Sequence, residues 1–508
     1  MSVSEIVCGV VLLLLTLAPA LFAWQTYLLL WASRSGTARQ PDAHSEAELP
    51  SVTTQIPLFN EPMVARRVIE AVAAIDYPAD RHQIQILDDS SDETRHLVDE
   101  TAARLRARGV DVAVVRRADR AGYKAGALQA GLAHARGEFI AVFDADFVPP
   151  ARFLKSMVPA FMRDPRAACV QTRWEHLNRT ENALTRAVAL GMDGHFAAEQ
   201  PGRAALGWAL NFNGTAGIWR RAAIDDPRVG GWHGDTLTED LDLSYRAQLA
   251  GWRIVYQPEP ACPAEIPADV ASLKAQQRRW ATGSIQCAMK LAPAVWGSDW
   301  PLAKKLAATA HLFGYSVSLW MLLMALIGRT CLAGVDPELA RRATLLATVV
   351  ILTSSIAPTI AYAVCQHRLR GRWPHLGDLV ALLLLGLGLS VNNAFAVLRG
   401  VWLRGGEFVR TPKTGSATGQ KRLRGALPVA SSSLWFAELA LAAWCVWQWW
   451  WFLPVDGPIA NAFLLLFAAG LFWVGGAGAT AWVRAMLGAS HTQPEQHPAE
   501  LPVGSAAT

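Results

Sequence analysis

The feature that most limits the possible folds of this chain is an apolar run near its start. The segment 6–31 contains no charged residue, and about 20 such residues are enough to cross the roughly 30 Å of hydrocarbon in a bilayer. Glu5 precedes the run and the first basic residue is Arg34, so the basic leading region of a signal peptide is missing. We expect residues 1–32 to be a membrane anchor, with the following residues in the cytoplasm.

The rest of the chain divides into two kinds of sequence. Hydrophobic residues make up 52% and charged residues 18%, below the charged fraction of about a quarter in average soluble domains. Residues 50–300 nevertheless read as an ordinary globular protein. This division excludes both a purely soluble enzyme and a membrane bundle with only short loops. The later apolar stretches are 306–331, 343–366, 377–398, 434–453 and 458–482.

The charge and the cysteines exclude further classes. A net charge of +5, spread along the chain, does not favour a nucleic-acid partner. The seven cysteines lie far apart with no CxxC pair, which argues against a zinc site or a disulfide framework and fits a reducing compartment.

Basic residues limit the path of the stretch 377–398. A full crossing there would put many positive charges on the outer side, against the usual bias. We therefore predict an interfacial or re-entrant segment, and five crossings in total. The basic residues concerned are Arg399, Arg404, Arg410, Lys413, Lys421, Arg422 and Arg424.

Short apolar runs alternate with helical patterns from residue 50 onward, which predicts an α/β domain with a mostly parallel sheet. Ligands bind at the carboxyl ends of the strands in such sheets. No GxGxxG follows the first run, so a dinucleotide fingerprint is absent. The predicted strands are 52–58, 83–89, 110–117 and 138–146, and the predicted helices are 62–75, 93–108 and 124–136.

Two acidic motifs follow predicted strands. Asp144-Ala145-Asp146 ends the run FIAVFDAD, and alternate side chains on an extended strand point the same way. Both carboxylates could then face one hard cation, Mg²⁺ or Mn²⁺, shared with a substrate's phosphates. Taken alone, a solvent-facing acidic pair is the commoner interpretation of such a short motif, and Asp88-Asp89 is equally ambiguous.

Four further segments are ambiguous in isolation. Thr238-Glu239-Asp240 could be an ordinary helix start with a threonine cap. QQRRW, residues 276–280, could be a basic interfacial helix. Lys124 could be an exposed lysine, and the segment 406–413 an ordinary basic loop.

The combination and order of these motifs resemble the family-2 glycosyltransferases, in particular their membrane-embedded processive branch of cellulose, chitin and mannan synthases. The resemblance covers about residues 50–425. Two segments, VQTRWEHLNR (170–179) and NFNGTAGIWRR (211–221), look most like plant-type mannan or glucomannan synthases. The resemblance rests on Gln55 to Asn60-Glu61, LDDSSDET, GYKAGAL, FDADFVPP, TEDLDLSYR, QQRRW and the loop FVRTPK.

The resemblance implies a GT-A fold, a Rossmann-like mixed sheet, joined to transmembrane helices. It assigns the general base to Asp240, within a motif that includes Glu239 and Thr238, and a divalent metal to Asp144 and Asp146. The other implied roles are nucleotide-sugar binding by Asp88, Asp89, Lys124, Glu61 and Asp144, acceptor and pyrophosphate contacts by Gln276, Arg279 and Trp280, and a gating loop with Phe408, Arg410, Thr411 and Lys413. Cellulose synthases have a small apolar residue where Arg410 stands, so donor closure could differ here.

The domains expected are the anchor, a cytoplasmic glycosyltransferase domain over 50–265, interfacial helices over 266–300, transmembrane helices over 301–485 with the loop 404–425, and a disordered tail over 486–508. The expected partners are a nucleotide sugar, a growing glycan or lipid acceptor and the lipid bilayer, and the oligomeric state is open. We expect an integral protein of a bacterial inner membrane.

Three functions are compatible with this organisation. The first is an inverting, processive hexosyltransferase using GDP-mannose or UDP-glucose to make a β-linked mannan, glucomannan or glucan. The second is a non-processive lipid glucosyltransferase acting on diacylglycerol or ceramide. The third, a transporter or channel, is disfavoured because we expect the apolar segments to lack the buried charges that mark ion pathways.

Overall fold

The computed structural model describes residues 3–35, 49–406, 434–460 and 462–489, and all structural statements below concern these residues. The strands are β1 (Val52–Leu58), β2 (His82–Asp88), β3 (Val112–Val115), β4 (Phe139–Val142), β5 (Ala167–Gln171), β6 (Trp174–His176), β7 (Gly217–Arg220), β8 (Arg253–Tyr256) and β9 (Cys262–Ala264).

Helices surround the sheet and continue into the apolar region. They are α1 (Val3–Ala32), α2 (Ala65–Ala73), α3 (Thr94–Ala107), α4 (Tyr123–Leu132), α5 (Phe153–Met157), α6 (Pro159–Arg163), α7 (Ala183–Gly194), α8 (Gln200–Ala205), α9 (Arg221–Ile224), α10 (Glu239–Leu249), α11 (Val270–Gly297), α12 (Leu302–Leu312), α13 (Val317–Ile327), α14 (Pro337–Arg370), α15 (Leu376–Gly388), α16 (Ser390–Trp402), α17 (Leu434–Ala460) and α18 (Ala462–Ala489). A π-helical turn, His195–Glu199, joins α7 to α8.

The main sheet has the strand order β3-β2-β1-β4-β7-β5-β8. Its first four strands are parallel, and β7 runs antiparallel between β4 and β5. Every residue of β2 is buried, because helices cover both faces of a parallel sheet. The predicted α/β class with a mixed sheet is confirmed. Strand β1 has its predicted bounds, and the ends of β2 to β4 lie within four residues of their predicted positions.

Two hydrophobic cores hold the sheet in place. On one face Ile56 and Ile84 pack beneath Val68, Ile69 and Val98 of helices α2 and α3. The opposite face buries the apolar side of α4 and α10, together with the fully buried Trp219 of β7. Complete burial of a large apolar side chain contributes roughly 1.5–3 kcal/mol, so both helical layers stabilise the carboxyl edge of the sheet.

Three helices are long and apolar enough to cross a membrane: Glu5–Ala32, Pro337–Arg370 and Ala462–Arg484. Two bent pairs also pass this test together, α12 with 314–327 at 56° and α15 with α16 at 44°. The total reaches five if each bent pair is one span, but helix α17 is not in this set. The number of five crossings predicted from the sequence is therefore reached with a different set of helices. The interfacial path of 377–398 stays a prediction, because the bend between α15 and α16 is compatible with both a broken span and a re-entrant segment.

Helix α11 joins the two regions of the chain. It starts at the cap Asp269, whose carboxylate accepts hydrogen bonds from the Ser272 amide at 2.8 Å and hydroxyl at 2.8 Å. Further along, the Thr282 hydroxyl donates to the Ala396 carbonyl at 3.2 Å. One continuous helix therefore connects the sheet domain to the apolar helices, where the sequence predicted several interfacial helices over 266–300.

Buried ion pairs fasten the apolar helices. Lys274 and Glu438 are 2.7 Å apart with side chains 2% and 0% exposed, and Arg329 pairs with Asp456 at 2.5 Å. The expectation that the apolar segments lack buried charge is therefore wrong. Because each charge has an opposite partner in direct contact, these pairs act as connections between helices and give no support to an ion pathway.

Breaking the Lys274–Glu438 pair should destabilise the protein strongly. Lys274→Met leaves a buried carboxylate uncompensated, which costs about 3–5 kcal/mol. Thermal unfolding in detergent should show a large drop for Lys274→Met and substantial recovery for Lys274→Met with Glu438→Leu. The exposed Arg66–Glu100 pair is the control, because Arg66→Met should cost no more than about 1 kcal/mol. Equal effects of the two single substitutions would contradict the prediction.

Candidate active site

A cavity of about 160 Å³ lies at the carboxyl edge of the sheet, where β1, β2 and β4 end. Loops after these strands, the start of α10 and one side of α11 form its wall. Of the site residues predicted from the sequence, those that line this cavity are Glu61, Asp89, Lys124, Asp144, Asp146, Thr238, Glu239, Asp240, Gln276, Arg279 and Trp280.

Asp88 is not part of the cavity wall. Its carboxylate lies behind the wall, 2.8 Å from the guanidinium of Arg116, and also accepts a hydrogen bond from the Ser90 amide at 3.0 Å. Asp89, one residue on, faces the cavity and receives a two-pronged contact from Arg117 at 3.1 and 2.5 Å. The nucleotide contact expected of Asp88 stays a prediction.

The acidic motif 144–146 adopts a turn rather than the extended strand that the sequence predicted. Strand β4 ends at Val142, and the Phe147 amide donates to the Asp144 carbonyl at 3.1 Å. The turn forms because Phe147 bridges to Ala264 and packs against Trp174. Period-two alternation therefore does not align the two carboxylates, although both still reach the cavity.

Lys124 lies among carboxylates at the centre of the site. Its ammonium is 2.6 Å from Asp144 and 3.5 Å from Glu239, and it donates to the Gly214 carbonyl at 2.8 Å. Burial acts to lower the pKa of Lys124, but the charges of Asp144, Glu239 and Asp240 raise it. Lys124 is therefore a permanent positive charge that holds three acidic groups together.

Asp240 is the carboxylate in this group that is set up to accept a proton. Burial and the neighbouring Glu239 charge raise the pKa of Asp240 to about 7, against the lowering effect of Lys124. A pKa near neutrality suits a general base. Thr238 does not cap α10; its hydroxyl lies 3.4 Å from the Cys287 sulfur in α11.

Gly214 lies beside Lys124 and Asp240, and the sequence did not mark it as a site residue. Its φ is +83°, and a Cβ there would lie 2.9 Å from Asp240 Oδ2 and 3.3 Å from Lys124 Nζ. Only glycine permits this approach without strain. The sequence signal that could have identified Gly214 is its position in NFNGTAG, one of the two segments that resemble mannan or glucomannan synthases.

Helix α11 contributes Gln276, Arg279 and Trp280 at helical spacing, so all three lie on one face toward the cavity. Deeper along the helix, Gln286 accepts a hydrogen bond from the Leu237 amide at 2.9 Å. Its own amide donates to the carbonyls of Leu403 at 2.9 Å and Gly405 at 2.6 Å. One side chain thus ties the residue before Thr238 to the segment that follows α16.

Phe408, Arg410, Thr411 and Lys413, predicted to form a gating loop, lie outside the described residues. The disordered tail predicted over 486–508 is wrong for residues 486–489, which continue helix α18, and its remainder lies outside the described residues. The described part of the predicted loop 404–425 ends at Gly406, next to the Leu237 side chain. The Gly405 amide donates to the Asp235 carbonyl at 2.8 Å. The root of the loop therefore adjoins the cavity wall.

Two further side chains of the wall carry suitable chemistry but escaped the sequence prediction. Trp174 packs edge-on against Phe147 with ring centroids 5.2 Å apart, forming an aromatic surface beside the acidic turn. The Arg120 guanidinium lies 3.2 Å from the centre of the Phe59 ring. Arg120 stands two residues before the motif GYKAGAL, so only its proximity to Lys124 could have pointed to the site.

The donor atoms at the acidic turn fit a metal shared with a substrate. Asp144 and Asp146 supply hard carboxylate oxygens in one cavity, and Mg²⁺ typically uses one or two carboxylates plus substrate phosphates. Elsewhere His233, Asp235 and Asp242 place ligand atoms within 4.8 Å of one another. The Lys290 ammonium contacts Asp235 at 2.8 Å and Asp242 at 2.9 Å, just as Lys124 contacts Asp144 in the cavity.

Comparisons with known proteins agree with this geometry. Residues 50–283 match the family model described as "Glycosyltransferase like family 2". Over these residues the chain is similar to family-2 glycosyltransferases, in agreement with the resemblance seen in the sequence, and the sheet there is of the mixed type that was expected.

The curated relatives are plant enzymes. "Probable glucomannan 4-beta-mannosyltransferase 6" from Oryza sativa subsp. japonica is 42% identical over 246 residues, 48% of this chain and 42% of the relative. "Glucomannan 4-beta-mannosyltransferase 2" from Arabidopsis thaliana is 38% identical over 272 residues, 52% of this chain and 51% of the relative. The chain thus spans about half the length of the curated relatives it matches.

A solved structure also aligns with much of the chain. A mannosyltransferase from Pyrobaculum calidifontis, in complex with GDP-Man and Mn²⁺, covers 72% of this chain and 99% of its own, with 22% identity and a TM-score of 0.49.

Gly214→Ala should reduce nucleotide-sugar turnover at least tenfold, because its Cβ would displace Asp240 or Lys124. The matched control is Gly207→Ala, which has a φ of +65° but no atom within 4 Å of the added Cβ. Both variants carry the strain of a positive φ, so their melting temperatures should fall by similar amounts. Equal turnover in the two variants would show that the close approach at Gly214 has no part in the reaction.

Proposed function

We propose that this chain is a membrane-bound inverting hexosyltransferase that extends a β-linked polysaccharide from a nucleotide sugar. The observation that carries the proposal is the single cavity lined by Lys124, Asp144, Asp240 and Trp280. The match of residues 50–283 to the family-2 glycosyltransferase model supports this reaction class. The glucomannan 4-beta-mannosyltransferase relatives support GDP-mannose as donor and a mannan or glucomannan as product, with UDP-glucose as the other candidate donor.

In the proposed reaction Asp240 removes the proton from an acceptor hydroxyl. The resulting oxygen attacks the anomeric carbon as the bond from that carbon to the diphosphate breaks, so an α-linked donor gives a β-linked product. The buried Asp240 carboxylate holds the proton until the product moves on. Lys124 keeps Asp144 and Glu239 in place around the donor.

Other residues bind the two substrates. Trp280 would stack on a sugar face of the acceptor, and Arg279 would donate to the diphosphate. Asp89 and Glu61 would contact the nucleotide sugar. Asp144 and Asp146 would hold Mg²⁺ or Mn²⁺, which supplies neutralisation of the charge on the leaving diphosphate.

We further propose that the domain faces the cytoplasm and that the product leaves through the membrane helices. The candidate spans support membrane association. The bacterial inner membrane stays a prediction, since the relatives described above are from rice and Arabidopsis. Phe408, Arg410, Thr411 and Lys413 would close over the bound donor and exclude water.

Turnover by the purified chain tests the proposal. Radiolabelled GDP- and UDP-hexoses are supplied with Mg²⁺ or Mn²⁺, and the product is extracted with chloroform and digested with linkage-specific glycanases. We expect an insoluble, mannanase-sensitive polymer from GDP-mannose. A chloroform-soluble product carrying one sugar would instead establish the lipid glycosyltransferase.

Asp240→Asn should abolish turnover, whereas Asp225→Asn should leave it unchanged because Asp225 lies outside the cavity and pairs with Arg221. Turnover that survives Asp240→Asn would rule out both enzymatic proposals.

The pH dependence of kcat/KM should reveal the base. Below a pH of about 7 Asp240 is protonated and cannot accept a proton, so the rate should fall about tenfold per pH unit on the acid side. Lys124→Met removes a charge that lowers the pKa of Asp240, so this acid limb should move to higher pH. An acid limb that stays in place or moves to lower pH in Lys124→Met would contradict the assignment.

A further inference from the structure

A second cavity, of about 280 Å³, lies between the glycosyltransferase domain and the membrane helices. Its wall combines α1, the α7–α8 region with its π-helical turn, the α12 end and α14. The proposed reaction uses none of the polar side chains that line it. These are Gln25, Thr26, His195, Glu199, Arg203 and Tyr362, with His311 beside them.

The cavity lies close to the helix ends that the basic residues assign to the cytoplasm. The Arg368 guanidinium at the end of α14 donates to the Ser33 hydroxyl beyond the end of α1 at 2.8 Å. At 1.5 Å per residue, Gln25 lies about 12 Å and Tyr362 about 9 Å inward from this contact. That depth corresponds to the lipid headgroups and the first acyl carbons.

Two buried nitrogen atoms on this wall lack a hydrogen-bond partner among the described residues: Arg203 Nη1 and Gln25 Nε2. Arg203 is only 3% exposed. Its Nε donates a hydrogen bond to Glu199 at 3.1 Å, whereas its Nη1 has no partner among the described residues. A buried polar group without a partner is costly. Both unsatisfied atoms are donors, so the missing partner must supply acceptor oxygens.

We propose that this cavity binds the phosphate-bearing headgroup of a membrane lipid from the adjacent leaflet. A phosphate offers only acceptor oxygens, and arginine is the side chain best matched to it. Three walls come from helices that are candidate spans or belong to a bent pair, so acyl chains can continue along their apolar surfaces.

A sugar chain is a poorer match for the two unsatisfied atoms, because both are donors, whereas each sugar hydroxyl donates as well as accepts. The lipid site is also separate from the proposed reaction. His195 forms the partition, with its Nε2 3.1 Å from the amide nitrogen of Asn213, which lines the first cavity. Lipid binding can therefore be measured without a sugar donor.

Native mass spectrometry of the full chain in detergent tests the site. The probes are dioleoylphosphatidylglycerol, dioleoylglycerol with the same acyl chains but no phosphate, and inorganic phosphate. We expect one tightly held phosphatidylglycerol and at least tenfold weaker binding of dioleoylglycerol, since a hydrogen bond to a charged group contributes about that factor or more. Inorganic phosphate should also bind at least about tenfold more weakly, because it lacks the acyl chains that bury apolar surface.

Arg203→Gln should weaken phosphatidylglycerol binding at least tenfold. The matched control is Arg186→Gln on α7, because Arg186 also forms an ion pair, with Asp378 at 2.9 Å, but does not line the cavity. Gln25→Leu removes the other donor without disturbing the Arg203–Glu199 pair, so it should weaken binding severalfold in a chain whose ion pairs are intact.

Three results would overturn the proposal. Equal affinity for phosphatidylglycerol and dioleoylglycerol would exclude phosphate recognition, and tight binding of inorganic phosphate alone would exclude a lipid source. Binding of mannohexaose that Arg203→Gln abolishes would assign the cavity to the glycan.

Discussion

Several carboxylates are buried side by side at the active-site edge of the sheet. Burial of these charges is tolerated only because cations lie among them. The segment 116–124, from the end of β3 into the first turn of α4, supplies these cations in sequence: Arg116 to Asp88, Arg117 to Asp89, and Lys124 to Asp144 and Glu239. Two of the acids stand at the end of β2, one follows β4 and one begins α10, so a single segment neutralises three different elements. Asp240, the neighbour of Glu239, is left with the least compensation and the pKa most suited to proton transfer.

Charged and polar groups are also paired where the domain meets the apolar helices, and α11 carries different side chains on its two sides. Arg279 and Trp280 face the cavity. Arg278, on the side of the apolar helices, donates a hydrogen bond to Asn392 at 3.0 Å, and Lys274 forms an ion pair with Glu438. Asn392 lies in the stretch 377–398, for which the basic residues predicted an interfacial or re-entrant path. The contact with Arg278 explains why a polar residue stands in this apolar stretch.

Local signals were sufficient for four of the seven strands of the main sheet and for most of the site. Strands β1 to β4 follow from apolar runs, and the motifs containing Asp89, Lys124, Asp144 and Asp240 converge because parallel strands end at one edge. The turn at 144–146 could not be predicted, because it is set by the distant Ala264 and Trp174. The antiparallel β7, the ion pairs of Glu438 and Asp456, and the role of Gly214 likewise depend on partners far away in the chain.

Gln286 gives this arrangement a mechanical meaning. Its side chain holds Leu237 with one atom and Leu403 and Gly405 with another. Any displacement of the stretch after α16 must either break this amide's bonds or pull on the residue that precedes Thr238. Gln286 is thus a direct link between the segment after α16 and the segment that leads to Asp240. A displacement of one segment is transmitted to the other without any contact through a substrate.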